Sequence, residues 1–159
     1  MFSSGVSVRK RVVKIFRDIC LYQPTFVRIP DICSRLLRRT HDEESIRKLV
    51  LDTFQQIWFS PTRHASEIRQ RVQTIIDVLI DSQKQNNTWL ENLVREFLYV
   101  NEKQSNDEKK KSQEQRKDVL KAMKDIINEL VESILKIESA NDQVHADRRI
   151  RFYLLISFF

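Results

Sequence analysis

The chain has 159 residues, 31% of them charged and 41% apolar, with a net charge of +6, one glycine and three prolines. That length suffices for a sizeable core, and the charged-to-apolar balance suits amphipathic helices rather than disorder. So little glycine excludes strand-rich folds with many tight turns and all but excludes phosphate-cradling loops.

The first predicted helix runs from about Ser7 to Tyr22. Val8, Val12, Ile15, Phe16, Ile19 and Cys20 follow the i, i+4, i+7, i+8 spacing expected of one buried face. Lys10, Lys14 and Arg17 fall on a second stripe and can share one exposed surface. Pro24 ends this helix, because a residue before proline avoids the helical region. The second helix runs from Pro30 to Arg39, with Ile29, Ile32, Cys33, Leu36 and Leu37 on its core side. Arg35, Arg38 and Arg39 crowd its C-terminal end, where cations also suit the helix dipole. The two cysteines, Cys20 and Cys33, each continue an apolar stripe and read as buried thiols of a reducing compartment rather than a disulfide.

Thr40-His41-Asp42-Glu43 fits a capping box that opens a third helix, running to Trp58. The acidic run Asp42-Glu43-Glu44 is therefore read as helix-start chemistry and not as a carboxylate site. Ile46, Leu49, Val50, Thr53, Phe54 and Ile57 are expected to face inward, with Trp58 and Phe59 closing the end. This helix repeats the first at an offset of about 38 residues: Arg9 aligns with Arg47, Lys10 with Lys48, Val12 with Val50, Phe16 with Phe54 and Ile19 with Ile57. A period near 40 residues built from two helices is the signature of HEAT and armadillo α-solenoids. The expected fold class is therefore all-α, a HEAT-repeat solenoid of stacked antiparallel helix pairs that continues in a longer superhelix.

Pro61 breaks the chain before a fourth helix, Ser66 to Gln83, which places Ile68, Val72, Ile75, Ile76, Leu79 and Ile80 inward. Thr88-Trp89-Leu90-Glu91 fits a second capping box and opens a fifth helix to Val100, with Trp89, Leu90, Leu93, Val94, Phe97 and Leu98 as its core. Residues 7–100 thus read as helical repeats. Residues 101–116 are almost wholly polar, with Lys109-Lys110-Lys111 in the middle, and read either as a disordered insertion or as a polar extension of the next helix. Residues 117–138 form a long amphipathic helix whose stripe includes Val119, Leu120, Met123, Ile126, Ile127, Leu130, Val131, Ile134 and Leu135. Residues 139–159 are a polar link and the start of a further helix, and the apolar run from Ile150 to Phe159 is too short to cross a bilayer.

No catalytic constellation is present. His41, His64 and His145 sit in turns or links without a second ligand at metal spacing, and no CxxC, glycine-rich loop or nucleophile elbow occurs. The chain is read as no enzyme, with no catalytic or metal-binding residue, no cofactor, no small-molecule substrate and no membrane span. What stands out is charge. Residues 1–53 hold 11 Lys/Arg against 6 Asp/Glu, whereas the remaining residues hold 17 against 16. Such clustering is either a solvated helix face or a surface for a polyanion or an acidic protein.

At this point a resemblance adds to the reading. The run from Val8-Arg9-Lys10-Arg11 through Arg17-Asp18-Ile19-Cys20, Pro24, Phe26, Arg38-Arg39, Asp42-Glu43-Glu44, Lys48-Leu49-Val50, Phe54-Gln55 and Trp58-Phe59 to Pro61 resembles the C-terminal HEAT-repeat region of the Nipped-B-like cohesin loaders. A weaker likeness continues at Leu130-Val131-Glu132 and Ile134-Leu135-Lys136. Residues 101–116 are longer and more charged than the family's usual link, and Arg148 to Phe159 matches only loosely. Members are very large, so the resemblance implies a fragment or partial gene model that starts and ends inside the array, with apolar end faces and poor solubility alone.

The resemblance also implies a nuclear, chromatin-bound role. Family members load cohesin for sister-chromatid cohesion, loop formation and transcriptional regulation, and the ATPase they stimulate belongs to cohesin. The expected partners are cohesin subunits and DNA without sequence preference. The candidate nucleic-acid or partner-binding residues are Arg9, Lys10, Lys14, Arg17, Arg35, Arg38, Arg39, Arg47 and Lys48. The alternative is a solenoid scaffold that binds protein segments and no DNA.

Overall fold

A computed structural model describes residues 3–62, 64–82, 89–98 and 106–139. Among the described residues every regular element is helical and no strand occurs. The chain divides into two compact units at Trp58, each with its own core.

The first unit holds three helices. Helix α1 spans Ser3–Tyr22, α2 spans Ile29–Leu37 and α3 spans Glu44–Trp58, with a 3-10 turn at Arg38–His41 between the last two. α1 packs chiefly along α3 and also against α2. The turn after α1 is tied by backbone bonds from Gln23 N–H to the Ile19 carbonyl (2.9 Å) and from Phe26 N–H to the Gln23 carbonyl (2.9 Å). Pro30 enters in the first turn of α2, where its missing N–H costs nothing. Ile29, Ile32, Cys33, Leu36 and Leu37 are buried, as the apolar spacing predicts.

α3 supplies the largest buried side chains of this unit, Phe54 and Trp58, whose rings lie 4.6 Å apart between centroids. Ile46, Val50 and Thr53 are fully buried on the same face. The Thr53 hydroxyl escapes an unpaired burial by donating to the Leu49 carbonyl at 2.7 Å. Burying each large apolar group contributes about 1.5–3 kcal/mol, so this face and the buried face of α2 together hold the unit.

Two sequence expectations are overturned here. The first concerns α1. Val13 and Cys20 are buried, but Val8, Val12 and Ile15 are 58%, 41% and 56% exposed. On the repeat alignment these three match Ile46, Val50 and Thr53, which are fully buried. The stripe is the same, but in α1 only its C-terminal part is covered, with Cys20 buried and Phe16 and Ile19 half-buried, while Val8, Val12 and Ile15 stay exposed. The second concerns the capping box. The Thr40 hydroxyl donates backward to the Leu37 carbonyl at 2.6 Å, because the chain makes a 3-10 turn there. The Asp42 carboxylate accepts the adjacent Glu43 N–H at 2.9 Å, just ahead of α3. Asp42 itself has extended backbone, which ends the 3-10 turn before the helix begins.

The second unit holds α4 (Ala65–Ser82), α5 (Trp89–Leu98) and α6 (Asn106–Ser139), with α4 and α5 both packed on α6. α4 buries Val72, Ile75, Ile76 and Leu79 as expected, and Val78 as well. Phe59 is fully buried and meets Phe97 of α5 edge-on at 5.3 Å. The Arg71 guanidinium donates to the Ser60 carbonyl at 2.5 Å and its hydroxyl at 3.1 Å, fixing the entry to α4. Burial pulls the Arg71 pKa down, with Glu67 opposing the shift. Arg69 reaches Glu129 at 3.1 Å and ties α4 to α6.

α6 begins at Asn106, so residues 106–116 are the polar extension of the following helix, while 101–105 lie outside the described residues. The proposed Thr88 cap and the 139–159 link beyond Ser139 also lie outside them. Val119, Ala122, Ile126 and Leu130 form the buried face of α6. The long stripe expected for this helix is split, because Leu120, Ile127, Val131 and Leu135 are 36–59% exposed on a neighbouring face.

Candidate functional site

All nine candidate basic residues lie in the first unit, on α1, α2, the 3-10 turn and α3. The structure separates them by what each already holds. Arg9 projects from α1 to Asp42, with its guanidinium nitrogen 2.5 Å from a carboxylate oxygen. Arg39 approaches the other oxygen of Asp42 at 3.4 Å. Asp42 is therefore a junction, binding α1, the 3-10 turn and the start of α3. Its carboxyl is held below the usual range first by the Glu43 amide, then by Arg9 and Arg39, against the cost of desolvation.

Arg17 pairs with its neighbour Asp18 at 2.8 Å. Arg35 lies 3.5 Å from Asp31, which Arg28 also grips at 2.5 Å. The Asp31 carboxyl is lowered chiefly by that hydrogen bond from Arg28. Lys48 pairs with Glu44 one turn earlier at 2.8 Å, and the contact lowers the Glu44 carboxyl. Arg47 is half-buried and engaged. Exposed pairs of this kind are worth about 0–1 kcal/mol, so they trim local charge more than they hold the fold.

Three candidates remain, Lys10, Lys14 and Arg38, with no ion pair among the described residues. Lys10 and Lys14 sit one turn apart on α1, and Lys14 is exposed. Arg38 is exposed on the 3-10 turn. Arg11, outside the nine candidates, is also exposed and without an ion pair among the described residues. Its three-residue spacing from Lys14 was the signal that could have found it. These side chains offer mobile positive charge on long stems, suited to phosphate or carboxylate at a surface.

Among the described residues no group of three or more His, Cys, Asp or Glu could hold a metal ion. No described helix is long and apolar enough to cross a membrane.

No family model matches the chain. Several curated relatives do. The chain is 39% identical over 142 residues to a Nipped-B-like protein of Mus musculus, a match covering 88% of this chain and 5% of that protein. It is 36% identical over 150 residues to the Nipped-B protein of Drosophila melanogaster, covering 89% of the chain and 7% of the relative. It is 35% identical over 142 residues to the Nipped-B-like protein scc-2 of Caenorhabditis elegans, covering 87% and 6%. The chain thus spans about a twentieth of the length of the curated relatives it matches.

Proposed function

Because the chain belongs to the Nipped-B-like family, of which it matches one segment, we propose that it serves as a non-enzymatic part of a cohesin-loading factor at chromatin in the nucleus. In this reading it contributes one stretch of a HEAT-type solenoid, helping to load cohesin for sister-chromatid cohesion, loop formation and transcriptional control. The observation that carries the reading is the 39% identity over 88% of the chain. The repeated helix at Val8 and Ile46 supports the solenoid part of it.

Within that role the first unit meets an anionic surface, either DNA phosphate or an acidic cohesin subunit. Lys10, Lys14 and Arg38, which hold no ion pair among the described residues, would make the primary contacts. The paired Arg9, Arg17, Arg35, Arg39 and Lys48 would contribute where a phosphate outcompetes a surface carboxylate, and Arg47 would lie at the edge. Contacts to phosphate position a protein without reading sequence. A second reading, a scaffold binding protein and no DNA, draws on the uncovered apolar stripe of Val8, Val12 and Ile15. Purified cohesin immobilised against the chain tests the role: specific capture, lost when Lys10, Lys14 and Arg38 are reversed to glutamate, is expected. Absence of capture at low salt would overturn the partner assignment.

A further inference from the structure

Ser60 lies between Trp58, the last residue of α3, and Ala65, the first of α4, in a connection whose described residues are not helical. Ser60 is half-buried, and Pro61 after it is exposed. Of the three prolines in the sequence, Pro24 follows Gln23 and Pro30 follows Ile29, so only Pro61 follows a hydroxyl residue. A basic residue, Arg63, stands two places beyond it in the sequence. Proline-directed kinases select this order: proline brings no N–H that their apolar pocket would leave unbonded, and the base answers an anionic group beside that pocket. The fold adds a cation at the hydroxyl itself. Arg71 of α4 donates to the Ser60 carbonyl at 2.5 Å and to the Ser60 hydroxyl at 3.1 Å.

We propose that Ser60 is a phosphorylation site for a proline-directed serine kinase, with Arg71 as the side chain that receives the phosphate. The Ser60 oxygen attacks the γ-phosphorus of ATP held by the kinase, whose base takes the hydroxyl proton. The bond from that phosphorus to the β,γ-bridging oxygen breaks, and ADP leaves. The product carries about −1.5 to −2 charge at neutral pH and three strong acceptor oxygens. They sit on the oxygen that Arg71 already reaches, so one bond to a hydroxyl gives way to charge-assisted bonds with phosphate oxygens. Arg71 is partly desolvated, which disfavours its charge, and a further anion beside it offsets that cost. Glu67 is the like charge near Arg71, and its carboxylate already accepts the Thr62 hydroxyl. Phosphorylation therefore tightens the clamp at the entry to α4.

The test incubates the whole chain with ATP and a purified cyclin-dependent kinase as the proline-directed enzyme. Intact mass and tryptic peptides are read first, then urea unfolding by circular dichroism. The expected result is one phosphoryl group on Ser60, none in Ser60→Ala, and a higher urea midpoint for the phosphorylated chain. That rise should vanish in Arg71→Gln and persist in part in Arg71→Lys, which keeps the charge without the planar fork. A folded chain left unlabelled at Ser60 by saturating kinase would overturn the site. Labelling at Ser60 with an unchanged or lowered midpoint, or an equal rise in Arg71→Gln, would overturn the role given to Arg71.

Discussion

Shortening Val50 and Val12 to alanine, one at a time, tests the asymmetry between the two copies of the repeated helix. The residues are identical and occupy matching positions, yet Val50 is fully buried and Val12 is 41% exposed. Val→Ala removes two methyl groups, worth about 0.8 kcal/mol each when buried, and leaves a cavity that adds to the cost. Val50→Ala should therefore destabilise the first unit by about 2 kcal/mol. Val12→Ala should cost about 0.5 kcal/mol or less, as surface substitutions do. The assay is urea unfolding followed by Trp58 fluorescence in a Trp89→Phe background, so that the signal comes from the α3 core. With an unfolding slope of about 1–3 kcal/mol per molar urea, the Val50 variant should lose about 1 M in midpoint and the Val12 variant very little. Equal losses would refute the reasoning, because they would mean that the outer face of α1 is as well covered as the core face of α3.

Phe54→Ala should cost about 3–5 kcal/mol by the same unfolding assay, since the ring is fully buried against Trp58. Arg71→Ala should destabilise the second unit by about 1–2 kcal/mol, leaving the Ser60 carbonyl without its charged donor, and circular dichroism during urea unfolding reads it. Asp31, Asp42 and Glu44 are all depressed in the folded chain, so their contribution is fully present above the ordinary carboxylate range and fades as pH falls through the lowered values. Stability measured between neutral and acid pH should fall on acidification, and Asp42→Asn should flatten part of that fall.

How much of this was legible in the sequence depended on what each signal reports. The 3.6-residue period reports which side chains are apolar on one stripe, and it located the six α-helices found among the described residues. It does not report which neighbour covers the stripe. For α3 and α4 most of the stripe is the buried face, with Leu49, Ile57, Ile68 and Ile80 only half-buried and Val78 buried beside it. For α1 and α6, apolar residues occupy more than one face, and the spacing alone could not choose between Val13 and Val12, or between Ile126 and Ile127. Capping failed at Thr40 for a local reason. A threonine can donate backward to a carbonyl as readily as it can accept from an amide, and the 3-10 turn selects the former. The basic cluster was visible as a charge imbalance. Its division into cations with and without an ion pair among the described residues was not, because Arg9 meets Asp42 only once α1 lies along α3.

Of the two anionic surfaces proposed for the first unit, DNA phosphate is tested most directly by binding of the whole chain to a random-sequence DNA duplex across a salt series. Each phosphate contact should contribute about 0.9 to the slope of log affinity against log salt. The account predicts salt-steep binding without sequence preference, with the triple reversal of Lys10, Lys14 and Arg38 to glutamate lowering both the affinity and the slope by about three contacts. Affinity and slope that survive the triple reversal unchanged would contradict it.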